Sequence, residues 1–542
     1  MIREKTRNSI EKSIKSLQKK GIFPVFDIPK IKVERPEDEL NGDYATNIAM
    51  ATAKFIKKNP IEIARLIKSD LENQKSNLFQ KIEVKEPGFI NFFLSERFLQ
   101  KIILEIVKDG KNYGCLKIGK NDFRSKKKTN IEFISANPTG PLHVGNGRGA
   151  FFGDCLANVL EKSGYQVIRE YYINDAKNNN QIQELGKTAL GEGKSYLTPY
   201  LKSLILKLKP HLNKFKSITD AGYFLSQNIL NDTKKFIQER LKIRFDYWIS
   251  EQILYRQERI KDFYNYLNDK KLVYSKEDAC WMNLSKFNQK DEVLVKQNGQ
   301  STYFLADMAY HKYKIERGFK KIIDIWGADH QGHIPRMKAV MKVLGYKGDF
   351  DILITQIVNL KNEKMSKRRG KIVTLEWLID EVGLDATRFF YLMKSLNTQM
   401  DFDVKLAKKQ SKNNPVYYVQ YANARMHSIL AKSKIKNPRF AGRQEKSKIN
   451  LELLSHQSEL NLIKQLIRFP EIIEDTASDY QVQRIPQYAL DLATSFHQFY
   501  RDCKVISKDK NLSQARVTLI LATKTVFKNT LDLMGISAPE KM

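Results

Sequence analysis

Two short segments carry side chains suited to handling a nucleoside triphosphate. The first is Ser135-Ala136-Asn137-Pro138-Thr139-Gly140-Pro141-Leu142-His143-Val144-Gly145-Asn146-Gly147-Arg148-Gly149. It links a short apolar run to a helical pattern, and its prolines forbid a strand or helix from continuing through it. Gly140, Gly145, Gly147 and Gly149 permit tight turns and let a flat base or a phosphate approach the backbone. The helix that follows offers unpaired N–H groups and a positive dipole end to an anion. From that turn His143 and Asn146 can donate hydrogen bonds to phosphate or ribose oxygens. The same residues also fit a glycine-rich structural turn with a core histidine. The second segment, Lys364-Met365-Ser366-Lys367, runs into Arg368-Arg369-Gly370. Two lysines on a mobile loop can neutralise charge that builds on departing pyrophosphate. A basic surface loop is the competing reading, and such loops are common in this chain.

The elements that must position these segments alternate between strand and helix. Residues 131–134 read as a short strand, 146–162 as a helix stopped by Gly164, and 166–172 as the next strand. Strands over 322–326 and 352–358 follow, with a helix over 334–344 between them. This order predicts a parallel sheet with right-handed crossovers, and Lys364 falls just past its last strand, where the binding crevice should lie. A mainly helical insertion over about 180–300 interrupts it. Before it, residues 1–118 read as an α+β unit with a helix over 45–66 and a strand over 88–94; after about 119 a polar, lysine-rich linker leads on. From 406 to 542 helical patterns dominate, over 416–432, 451–468, 487–504 and 513–534, with a basic loop over 432–448. The predicted architecture is therefore α/β: a Rossmann-like catalytic part over 119–405, an N-terminal α+β domain and a C-terminal all-α bundle.

The 542 residues carry 93 Lys and Arg against 61 Asp and Glu, a net charge of +32. Such an excess favours phosphate-rich partners, although abundant Lys and Asn throughout also fit a solvated surface set by composition. Cys115, Cys155, Cys280 and Cys503 lie far apart, with no ligand spacing for a structural zinc, and isolated thiols suit a reducing cytoplasm. The basic N-terminus lacks an apolar signal core, and no run approaches the length of a membrane span.

His143-Val144-Gly145-Asn146 resembles the "HIGH" motif, and Lys364-Met365-Ser366-Lys367 the "KMSKS" motif, of class I aminoacyl-tRNA synthetases. The wider wording (ISANPTGPLHVGNGRGAFFGD, REYYINDA, WGADHQGHIPRMKAVM and NPVYYVQYANAR) closely resembles bacterial-type arginyl-tRNA synthetases over nearly the whole chain, least between about 185 and 235. The second histidine of the first motif is Asn146 here, which hydrogen-bonds but carries no proton charge; activity is expected to survive. The resemblance implies activation of L-arginine with ATP, Mg²⁺ accompanying the nucleotide, and transfer to the 3′ end of tRNA(Arg). It makes His143, Asn146, Lys364 and Lys367 catalytic, with Gly140, Gly145, Met365 and Ser366 also at ATP. It implies a monomer, and activation that requires bound tRNA.

Arginine needs a carboxylate to meet its planar guanidinium. Tyr303 and Asp307, four apart on a capped helix start, share a face and match the family's guanidinium-binding pair. By the same resemblance Asn137 and Gln331 hold the amino and carboxylate end, and Glu132 adds negative charge. Each residue alone fits packing or surface pairing as well. Phe89 and Asn91 resemble D-loop contacts but sit in an apolar strand that also reads as core. Tyr418, Tyr421 and Arg425 lie along one helix face and, with Met542, resemble an anticodon-facing surface; a packed stripe is the alternative. A cysteine-specific synthetase would require a zinc ligand set, and the synthetases for large aliphatic amino acids a bigger editing insertion. A non-catalytic RNA-binding paralogue would be expected to have lost His143, Lys364 or Lys367.

Overall fold

The computed structural model describes residues 1–74, 76–116, 128–361, 373–433 and 449–542. The Lys364–Lys367 motif, most of the linker after 116 and most of the 432–448 loop lie outside the described residues.

The N-terminal part holds α1 (Ile2–Lys19), β1 (Tyr44–Thr46), α2 (Ile48–Ile56), α3 (Pro60–Asn73), β2 (Phe79–Lys85), β3 (Phe89–Leu94) and α4 (Glu96–Asp109). Its antiparallel sheet has the order β1-β3-β2. The continuous helix expected over 45–66 is not there. Residues 44–46 pair with β3, α2 ends on Lys57 in the left-handed region, and Pro60 starts a new helix capped by the Asn59 side chain. Proline favours the first helical turn and disfavours the interior.

The catalytic part is built on β4 (Lys128–Glu132), β5 (Gln166–Ile173), β6 (Tyr247–Ser250), β10 (Lys321–Gly327) and β11 (Asp349–Thr355), between which lie β7 (Val273–Lys276), β8 (Ala279–Met282) and β9 (Glu292–Val295). The five-stranded sheet runs β11-β10-β4-β5-β6, every neighbour parallel. Strand order reverses between β4 and β10, and ligands bind beyond the carboxyl ends of strands at such a switch point. Helix α5 (Val144–Lys162) crosses from β4 to β5. It lies so close to the sheet that a Cβ on Gly153 would stand 2.4 Å from the Phe133 ring.

The insertion is less helical than its sequence pattern suggests. It holds α6 (Asn180–Leu190), α7 (Pro199–Leu212), α8 (Ile218–Lys235), α9 (Glu251–Arg256) and α10 (Arg259–Asp269), but β6 extends the main sheet and β7–β9 form a separate antiparallel sheet. Two strands are also shifted from their expected positions: β4 ends at Glu132 rather than 134, and β11 ends at Thr355 rather than 358. Then come α11 (Tyr303–Glu316) and α12 (Ile334–Val343).

The C-terminal helices span Pro415–Lys432, Gln457–Leu466, Phe469–Asp479, Arg484–Asp502 and Lys510–Met534. The helix expected from 451 begins only at Gln457, where His456 and Glu459 form a capping box. The N-terminal part is tied to this bundle by Arg3 on Asp475 at 2.5 Å and by Tyr44 donating to Glu471 at 2.6 Å.

Candidate active site

The turn after β4 is held in a conformation few residues adopt. Ile134 and Ser135 have φ of 69° and 39°, in the left-handed region. Such backbone persists only where surrounding contacts over-determine it. Here the Ser135 hydroxyl donates to Glu132 at 2.9 Å and accepts the Tyr172 N–H at 3.1 Å, while the Tyr171 hydroxyl accepts the Ala136 N–H at 3.0 Å. The turn leaves Asn137 exposed above the sheet.

Six residues on, His143 caps α5. Its Nδ1 accepts the Gly145 N–H at 3.1 Å, and the Asn146 side chain accepts the His143 N–H at 2.9 Å. A ring whose Nδ1 accepts carries its proton on Nε2 when neutral, and burial holds the His143 pKa below its ordinary value. Nε2 is then a neutral donor at the helix mouth. A Cβ on Gly145 would fall 2.8 Å from the His143 ring, whereas one on Gly140 would meet nothing within 4 Å, so only Gly145 is required by the cap. The histidine anchors Asn146 through the backbone, so the asparagine completes a capping box here. The residues after the second motif dock on the first: Val144 N–H donates to Val373 carbonyl at 3.0 Å and Leu375 N–H to Leu142 carbonyl at 2.8 Å. Residues 373–375 are thus paired with the first motif on both sides of His143.

Helix α11 starts at a Thr302 cap. Tyr303 is 53 % exposed, and its hydroxyl donates to Asn179 Oδ1 at 3.0 Å and accepts the Asn180 N–H at 3.2 Å. Asp307 lies one turn further in, half-buried. Two residues not singled out from the sequence face the same space. Glu251, at the start of α9, is 2 % exposed, and its Oε2 has no hydrogen-bond partner. Burial, reinforced by the carboxylates of Asp175 and Asp307, pushes it up to about 8. Tyr172, on β5, is buried with an unpartnered hydroxyl and feels the charges of Glu251 and Asp307. Asp175 itself is engaged by Ser250, the Gln252 N–H and Gln227. An unmet buried carboxylate oxygen and phenol beside a half-buried aspartate want a cation with several donors in a plane. Gln331 stands exposed in the short turn Ala328–His333 after β10.

Glu132 does not face this space with a free charge. Its Oε2 receives Lys314 at 2.6 Å and its Oε1 receives Ser135. Lys314 also holds Asp324 at 2.7 Å, and His311 bridges Asp324, at 2.8 Å, to Asp307, at 3.3 Å. Burial works against a charged His311, but Asp307 and Asp324 outweigh it and raise the imidazole to about 10. Burial likewise opposes ionised Asp324, yet Lys314 and His311 bring it to about 2. This ladder fixes Asp307 from behind.

The RNA-facing candidates divide. Phe89 is exposed at the start of β3, whereas Asn91 is only 2 % exposed in the centre of that sheet, so the amide is part of the strand core. Tyr418 and Tyr421 pack on His497 with centroids 5.0 and 6.0 Å away, and Arg425 lies 4.3 Å over Tyr500. Tyr421 and Met542 remain exposed, and Met542 lines a groove with Tyr417 and Gln420.

Family models match nearly the whole chain. Residues 4–94 match the arginyl tRNA synthetase N terminal domain, 114–181 and 215–418 the catalytic domain of class I (R) tRNA synthetases, and 419–542 the DALR anticodon binding domain. The Arginine--tRNA ligase of Bacillus licheniformis is 40% identical over 99% of both chains. The chain belongs to the arginyl-tRNA synthetase family. The Arginine--tRNA ligase of Citrifermentans bemidjiense is 39% identical over 100% of both chains. In fold, this arginyl-tRNA synthetase family member is similar to the Thermus thermophilus arginyl-tRNA synthetase, with a TM-score of 0.77 over 100% of both chains at 22% identity.

Proposed function

We propose that the space between Asp307, Glu251, Tyr172 and Tyr303 receives the arginine guanidinium, and that Asn137 and Gln331 hold its amino and carboxylate end. The observation that carries this reading is the pair of buried, unpartnered atoms, Glu251 Oε2 and the Tyr172 hydroxyl, beside Asp307. Glu132 acts at one remove, positioning Ser135 and Lys314. The chain is a ligase that charges tRNA(Arg) with arginine at the expense of ATP. His143 Nε2, Asn146 and the open turn at Gly140 and Gly145 bind ATP with Lys364, Met365, Ser366 and Lys367. The arginine carboxylate attacks the α-phosphorus, pyrophosphate leaves, and a ribose hydroxyl at the tRNA 3′ end then attacks the arginyl-adenylate carbonyl. No covalent link to the protein is needed; alignment and charge stabilisation carry the rate.

Mg²⁺ would arrive on the ATP phosphates, because that ion keeps several of its waters and is held largely by substrate phosphate oxygens. Phe89 contacts the D-loop, and Tyr418, Tyr421, Arg425 and Met542 face the anticodon. The working division is 1–118, 119–405 and 406–542; the three family models share its order, with matches over 4–94, 114–181 with 215–418, and 419–542. The chain works as a cytoplasmic monomer, which family resemblance supports and four unpaired cysteines fit. Aminoacylation of purified tRNA(Arg) tests the whole reading: it predicts arginine-dependent charging, and no charging with ATP, Mg²⁺ and arginine present would refute it. Exchange of pyrophosphate into ATP should require tRNA; rapid exchange without it would contradict that step.

A further inference from the structure

The catalytic family model passes over residues 182–214, and that stretch holds a strongly charged surface. From Gly193 to Thr219 there is no Asp or Glu, yet there are six lysines: Lys194, Lys202, Lys207, Lys209, Lys214 and Lys216. All six are exposed, and none makes an ion pair with a described residue. Helix α7 orders three of them. Leu201 and Leu212 are buried in a small core with Leu185, Leu225 and Ile229, leaving Lys202, Lys207 and Lys209 on the outer face.

The helices on which α7 packs are themselves joined closely and run from the pocket. A Cβ on Gly186 of α6 would lie 1.9 Å from the Ile218 carbonyl, and one on Gly222 of α8 2.1 Å from the Ile182 carbonyl, so the two helices meet backbone to backbone. Helix α6 starts at Asn179, whose side chain holds the Tyr303 hydroxyl. Its 11 residues rise about 16 Å, and α7 packs back on it through Leu185, Leu201 and Leu212.

We propose that the outer face of α7, with the lysines flanking it, is a docking surface for the phosphate backbone of the tRNA acceptor arm. The inference rests on the reading that tRNA is the second substrate. The 3′ end must reach the pocket, so the duplex behind it must pass the surface next to that pocket, and unpaired lysines without acids are complementary to it. A membrane surface is the weaker occupant. The apolar side of α7 is already used in packing, and only Leu206, 70 % exposed, is offered outward. Interfacial helices bind through a free apolar face.

The test is the full-length chain with Lys202, Lys207, Lys209 and Lys214 all changed to Gln. At saturating tRNA, the KM values for arginine and ATP stay unchanged. The KM for tRNA rises roughly tenfold at 0.15 M salt, and the slope of log Kd against log salt falls by about 2 to 3. Changing the same four residues to Arg keeps wild-type behaviour, which separates charge from folding. An RNA comprising only the acceptor arm shows the same loss. An unchanged salt slope and tRNA KM would overturn the proposal, as would a loss confined to full-length tRNA and absent with the arm alone. Binding of the wild type to phosphatidylglycerol vesicles that the Gln variant loses, with tRNA parameters unchanged, would overturn it in favour of a membrane. Failure of the wild type to charge tRNA with arginine would instead refute the underlying reading.

Discussion

Two clusters of carboxylates meet at α11, and they are built differently. In the ladder, Glu132, Asp324, Lys314 and His311 are closed on one another: Lys314 has 0 % exposure and holds two carboxylates, and His311 takes the remaining oxygen of Asp324. In the pocket, Glu251 and Tyr172 are nearly as buried but keep an oxygen and a hydroxyl with nothing to bind. A satisfied buried cluster fixes a structure; an unsatisfied one costs stability until something enters it. The contrast separates scaffold from site using burial and hydrogen bonding alone, and Asp307 belongs to both, held by His311 behind and open in front.

The contrast breaks most visibly at Lys314. Lys314→Ala strands two carboxylates in the core and should cost about 3–5 kcal/mol in unfolding free energy, read by denaturant titration. A loss under about 1 kcal/mol would mean that the ladder does not hold the fold in this way. Glu251→Gln should do the reverse. Unfolding changes little, but the KM for arginine rises about 30-fold, because a charge-assisted pair to the guanidinium worth about 2 kcal/mol is lost. Steady-state kinetics at saturating tRNA would show it, and an unchanged arginine KM would remove Glu251 from the site.

Acidity sharpens the same point. Glu251 is raised to about 8 from an ordinary 4.5, so its ionisation is disfavoured in the empty folded chain. Stability from this group is full below about 4.5 and is lost as pH rises through about 8. Arginine binding, which needs the carboxylate, follows the opposite course. The arginine KM should fall as pH rises from 6.5 toward 8, and Glu251→Gln should flatten that dependence; parallel profiles in the two proteins would contradict it. The smallest effect is expected at Tyr172→Phe, which removes one hydroxyl and should raise the arginine KM about fivefold with kcat nearly unchanged, about 1 kcal/mol.

Much of the site could be located in the sequence because its residues are close in the chain. Tyr303 and Asp307 share a helix turn, and His143 and Asn146 share a cap, so spacing alone places them together. Glu251 and Tyr172 could not be found that way. They stand 79 residues apart, at the ends of β5 and α9, and meet Asp307 only because β6 joins the sheet beside β5. The one local signal was Ser250 before Glu251, a helix start directly after a strand. Glu132 shows the converse. Its spacing suggested a ligand, but its charge is answered by Lys314, 182 residues away and silent in the local pattern. The continuous helix read over 45–66 failed at its start because residues 44–46 pair with β3, and in its middle because Lys57 turns left-handed and Pro60 opens a new helix.

Asp307 is where scaffold and pocket meet, so it decides between them. The decisive measurement is arginine-dependent ATP–pyrophosphate exchange by Asp307→Ala in the presence of saturating tRNA(Arg). The predicted result is a fall of roughly 100-fold or more in kcat/KM for arginine with the KM for ATP unchanged, about 3 kcal/mol of binding lost at one carboxylate. Near-normal exchange would contradict the account of how arginine is bound.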